Sequence, residues 1–63
     1  MVWKFKDGDW IAEGENGDFL VWKIRRGFYK ARYRTKNKRY TFFLGVGSLV
    51  DVKKRCEENS YWE

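Results

Sequence analysis

Apolar and polar residues alternate at every second position through the middle of the chain, and that period predicts β-strands. Turn signals at Asp7-Gly8-Asp9, Glu15-Asn16-Gly17-Asp18, Arg26-Gly27, Lys36-Asn37 and Gly45-Val46-Gly47 divide it. Strands are expected near 2–6, 10–13, 18–26, 28–35 and 38–44. Short links between them favour neighbouring antiparallel pairs, hence a meander. On one parity lie Leu20, Trp22 and Ile24, then Tyr29, Ala31 and Tyr33, then Tyr40, Phe42 and Leu44. On the other lie Phe19, Val21, Lys23 and Arg25, then Phe28, Lys30, Arg32 and Arg34, then Arg39, Thr41 and Phe43. Each strand thereby offers one apolar and one basic face.

The period then changes. Ser48-Leu49-Val50-Asp51 has the form of a capping box, and Leu49, Val52 and Cys56 recur at helical spacing behind it. Asp51, Lys53, Lys54, Glu57 and Glu58 form the wet side of a helix expected over 48–60. Such a helix is roughly 18–20 Å long, enough to cross three strands about 4.8 Å apart. Leu49, Val52 and Cys56 are expected to pack on Leu20, Trp22, Ile24, Tyr29, Ala31, Tyr33, Tyr40 and Phe42, with Cys56 a small buried hydrophobe. Tyr61 and Trp62 are expected to tuck against the helix or sheet margin, or to fray.

The fold class that follows is α+β, an antiparallel meander of three to five strands backed by a single C-terminal helix. Sixty-three residues suit one domain: an acidic, aromatic hairpin over 1–18, a basic sheet over 19–44 and the helix. Thirteen aromatic residues supply the large buried area per residue that so short a chain needs. One cysteine and no histidine leave no internal disulfide, no ordinary zinc site and no Ser-His or Cys-His catalysis. No cofactor or metal is expected. Nothing is apolar for long enough to span a membrane, and the start lacks a signal-peptide core, so a cytoplasmic protein is expected.

Charge is unevenly distributed. Residues 1–18 carry a net −3, residues 19–50 a net +9 without any carboxylate, and residues 51–63 a net −1. Surfaces usually mix both signs. Lysine and arginine neutralise phosphates and release their counterions, and arginine adds bidentate contacts to phosphate or guanine. The basic face, Lys23, Arg25, Lys30, Arg32, Arg34 and Arg39 with Phe28 and Phe43 among them, is therefore the candidate nucleic-acid site. Two blander readings stay open. The cations can simply solvate the face or pair with the acidic first eighteen residues. The N-terminal hairpin can fold across it, covering Phe28 and Phe43 with Trp3, Phe5 and Trp10. An exposed aromatic face also suits self-association, as a monomer in equilibrium with a weak homodimer.

Tyr29, Ala31 and Tyr33, then Lys38-Arg39-Tyr40, a glycine at 45 or 47, and the helix opening of Ser48, Asp51 and Val52 form one pattern. It resembles the three-strands-then-helix DNA-binding modules at the N-termini of arm-type tyrosine recombinases, and the AP2-type domains of similar shape, over about residues 20–58. The resemblance implies that the open sheet face enters the DNA major groove, through Arg25, Lys30, Arg32, Arg34 and Arg39. The helix has Val52 where those modules have alanine, and the first eighteen residues have no counterpart in them. The chain is also similar to short, Trp- and Tyr-rich stand-alone bacteriophage proteins. Together these readings lead to an expected non-enzymatic nucleic-acid-binding protein, with duplex DNA favoured over RNA. The alternative is a phage-encoded interaction module that docks an acidic host protein.

Overall fold

The computed structural model describes residues 2–58. Five strands, β1 (Lys4–Lys6), β2 (Asp9–Glu13), β3 (Gly17–Arg25), β4 (Phe28–Thr35) and β5 (Thr41–Gly47), precede one helix, α1 (Leu49–Glu58). The strands form a single antiparallel sheet in the order β1-β2-β3-β4-β5, and α1 packs across β3, β4 and β5 on one face. The expected α+β meander with a C-terminal helix is therefore present. No helix among the described residues is long and apolar enough to cross a membrane. Tyr61 and Trp62, and residues 59 and 60 of the expected helix, lie outside the described residues.

Turn chemistry fixes the register at each end of the sheet. Asp7 and Gly8 both take positive φ, 53° and 87°. That suits a two-residue hairpin, whose twist then matches the strands, and Lys6 pairs directly with Asp9. At Arg26-Gly27 only Gly27 is positive, at 81°. The twist there does not match, and β3 bulges: Arg25 faces Phe28, but Lys23 faces Tyr29, leaving Ile24 as the extra residue.

That single bulge reverses the expected faces of β3. A bulge-free ladder from the same turn would set Lys23 opposite Lys30 and Val21 opposite Arg32. Like charges directly across a ladder repel. In the observed register Lys23 meets Tyr29, Val21 meets Ala31 and Phe19 meets Tyr33. Phe19 and Val21 are thus completely buried, while Leu20 and Trp22 are half-buried on the opposite face and Ile24 is 48% exposed. The expected packing of the helix on Leu20, Trp22 and Ile24 is corrected accordingly.

The core is Ala12, Phe19, Val21, Ala31, Tyr33, Val52 and Cys56, with Trp3, Trp10, Tyr29, Leu44 and Leu49 packed around it. Ser48 caps α1 by accepting the Asp51 N–H at 3.2 Å. Val52 and Cys56 are the helix residues fully buried against the sheet, as the helical spacing predicts.

The bounds of β5 and the expected packing of Tyr40 and Phe42 under the helix are corrected as well. β5 starts later and ends later than 38–44, because residues 36–40 form a closed loop. In it Lys38 adopts a φ of 59°, and Asn37 Oδ1 accepts from Thr35 Oγ1 at 2.6 Å and from the Arg39 N–H at 2.9 Å. Tyr40 is consequently 56% exposed rather than in the core, and Phe42 sits at the margin with its ring centroid 6.5 Å from that of Tyr33. Gly45-Val46-Gly47 is the end of β5, with a bulge where Arg32 faces Phe43 but Lys30 faces Val46. The N-terminal hairpin does not fold across the basic face either. It extends the sheet in its own plane, and its aromatics turn toward the helix. Trp3 Nε1 donates to Glu57 Oε2 at 3.1 Å, and Lys53 Nζ lies 3.5 Å from the Trp10 ring centroid.

The reversed parity is directly testable. Phe19→Ala is expected to cost about 3–5 kcal/mol, which is about all the stability a core this small supplies. Ile24→Ala is expected to change stability by no more than about 0.5 kcal/mol. Urea unfolding of the two variants distinguishes them, and equal losses would contradict this register.

Burial, and secondarily the Glu57 carboxylate, pushes the Cys56 thiol up to about 11. In the native protein it is expected to resist maleimide at pH 8 and to react only on unfolding, which timed labelling checks. Because the unfolded thiol ionises first, the Cys56 contribution to stability is lost as pH rises from the ordinary thiol range toward 11.

Candidate nucleic-acid interface

On the face away from α1, β4 presents Phe28, Lys30, Arg32 and Arg34 at every second residue. The cations stand about 6.7 Å apart along the strand. Cross-strand partners extend this ladder. Trp22, Lys30 and Val46 make one row; Leu20, Arg32 and Phe43 the next; Asp18, Arg34 and Thr41 the third. The β3 bulge returns Arg25 to this face beside Phe28. Arg25, Phe28, Lys30, Arg32, Arg34 and Phe43 are thus brought together as expected.

Lys23 and Arg39 are not. Lys23 pairs with Tyr29 on the helix side, and Arg39 belongs to the loop between β4 and β5. The residue that periodicity missed is Trp22. The run Phe19–Trp22 is apolar on both parities, so alternation is silent there, and only the bulge decides which pair faces out. The prospect of Lys23 opposite Lys30 was the available signal.

Exposed Arg25 and half-buried Lys30 and Arg32 each lean on a ring. Arg25 Cζ lies 4.4 Å from the Phe28 centroid, Lys30 Nζ 5.4 Å from that of Phe43, and Arg32 Cζ 5.8 Å from that of Trp22. Exposed contacts of this kind are worth about 0.5–1 kcal/mol each. They hold the charged heads on the sheet instead of letting them sweep through solvent. Arg25, Lys30 and Arg32 have no carboxylate within ion-pair distance among the described residues.

Carboxylates do reach the other half of the face. Asp9, Ile11 and Glu13 of β2 share its side with Leu20 and Asp18, because Ile11 pairs with Leu20 and Glu13 with Asp18. These carboxylates form an acidic border along β2 beside the cations of β3–β5, and Lys4 and Lys6 of β1, paired with Ile11 and Asp9, lie beyond it on the same face. At that border Asp18 Oδ1 accepts from Lys36 Nζ at 2.9 Å. Asp18 is committed to Lys36, although Arg34 is its direct partner across the ladder. Arg34 Nε is shielded from solvent without a hydrogen-bond partner among the described residues. It adjoins a cleft of about 200 Å³ lined by Ile11, Asp18, Phe19, Leu20, Arg32, Arg34 and Lys38.

Comparison with protein-family models, with curated proteins and with solved structures finds no match to this chain.

The hydrogen bond to Asp18 raises the Lys36 ammonium above the ordinary lysine range. Asp18→Asn is expected to return it to that range in a side-chain NMR titration. The pair is exposed, so the denaturation midpoint should hardly move. What small stabilisation it gives is present at neutral pH and is lost as pH rises through the raised lysine value.

Proposed function

We propose that this chain is a non-enzymatic nucleic-acid-binding domain that uses the open face of β3–β5. One observation carries the reading: Arg25, Lys30, Arg32 and Arg34 stand on a sheet face that neither the helix nor the N-terminal hairpin covers, beside the exposed rings of Phe28 and Phe43. Counterion release from phosphates is what such a group of unpaired cations can supply. The succession of three strands and a helix in β3–β4–β5–α1 also supports the likeness to arm-type recombinase and AP2-like modules. A phage or mobile-element setting fits that likeness.

Titration with fluorescent oligonucleotides at stepped salt tests the reading. Four neutralised phosphates correspond to a log–log slope of about −2.8 on a single strand or about −3.6 on a B-form duplex. Lys30→Glu is expected to weaken binding by about tenfold or more and to flatten the slope by about one. Lys54→Glu makes the same charge change on the exposed side of the helix and is expected to leave both unchanged. Equal effects of the two variants, or no binding at low salt, would contradict the proposal.

A second reading, docking to a protein partner, is favoured by the uncharged, apolar edge strand β5. Tyr40, Phe42, Phe43 and Val46 are all exposed on or beside it. Capture of one discrete partner from nuclease-treated lysate, lost in Phe42→Ala with Phe43→Ala, would support that reading instead.

A further inference from the structure

The shape of the face narrows the class of nucleic acid. Five strands spaced by about 4.8 Å make the sheet about 19 Å wide from β1 to β5. The major groove of B-DNA is about 12 Å wide and admits a helix or a two-stranded ribbon. A three-stranded module could enter it. The in-plane hairpin β1–β2 makes this sheet wider, and on the same face it sets Lys4 and Lys6 of β1 beside Asp9 and Glu13 of β2, so that side offers the phosphates of a groove wall no net positive charge. A duplex is thus opposed by width, and the hairpin supplies no attraction to offset it.

A single strand is not subject to that width limit. The basic strip follows β4, one strand wide, with the rings of Trp22 on β3 and Phe43 on β5 flanking it on opposite sides. The two rings are offset by one two-residue step, about 6.7 Å along the strand direction. Phe43 is 65% exposed, far more than packing requires of an apolar ring. Bases of a single strand are free to splay outward and stack on aromatic or guanidinium planes, whereas paired bases are not.

Resting on the interface reading above, we propose that the ligand is a single nucleic-acid strand lying along β4. Its phosphates fall to Lys30, Arg32 and Arg34, and successive bases turn to either side, onto Trp22 and onto Phe43. The lysine and guanidinium heads that lean on those rings swing to the phosphates, or in the case of Arg32 extend the stack as a second plane. Arg34 marks one end of the strip, and Phe28 with Arg25 closes the other.

The test is fluorescence anisotropy of the full chain with three probes of matched label: an oligothymidylate of about eight nucleotides, an oligouridylate of the same length, and a blunt DNA duplex of about 16 base pairs. Single strands are expected to bind at least about tenfold more tightly than the duplex. The DNA and RNA arms show whether the strand carries a 2′-hydroxyl preference. Phe43→Ala, at an exposed position that the fold does not need, is expected to weaken single-strand binding by about tenfold while leaving the salt slope intact. Trp22→Phe is expected to retain most of it. Duplex binding as tight as single-strand binding, or an undiminished affinity in Phe43→Ala, would overturn the single-strand assignment and leave the basic interface standing. Absence of binding to all three probes at low salt would overturn the interface itself.

Discussion

The pairing of Phe19 with Tyr33 across β3 and β4 governs everything built on the sheet. Their rings lie 4.8 Å apart, and both are buried. With Phe19 facing inward, Val21 must follow it, and Leu20 and Trp22 must face outward. The bulge at Ile24 lets that pairing coexist with a two-residue turn of the wrong twist. It also keeps Lys23 away from Lys30 and hands Arg25 back to the outer face. A single extra residue therefore sets the core and the charged surface at once.

The helix and the N-terminal hairpin then compete for the same apolar side. The helix covers β3–β5 with Val52 and Cys56, and the hairpin reaches it from the edge through Trp3, Trp10, Lys53 and Glu57. Packing those tryptophans beside the helix keeps the hairpin in the plane of the sheet and away from the cations of β4. Among the described residues the outer face is open because the inner face holds the stronger attraction.

Much of this was legible from residue order. The Asp7-Gly8 turn, the parity of β4, the Ser48 cap and the inward positions of Val52 and Cys56 each follow from a local rule that tertiary packing did not override. β3 was not legible, since four consecutive apolar residues carry no alternation, and the two cations after them straddle a bulge. The start of β5 was hidden for another reason. Side-chain bonds of Asn37 close a loop around Arg39 and Tyr40, whose composition alone suits a strand. At the candidate site, the cations of β4 were found by periodicity, Trp22 was missed with the parity of β3, and the acidic border came from the in-plane placement of β2. Charge sums along the chain cannot show which face an acid will share.

The tryptophan indoles offer the most direct measurement of the central claim. Among the described residues Trp22 faces outward, while Trp3 and Trp10 sit with the helix. In a ¹H–¹⁵N spectrum recorded as a short single-stranded oligonucleotide is added, the Trp22 indole and the amides of Lys30, Arg32 and Phe43 should shift together. The Trp3 and Trp10 indoles should stay in place. Shifts concentrated at Trp3, Trp10 and the helix, with Trp22 unmoved, would contradict the account.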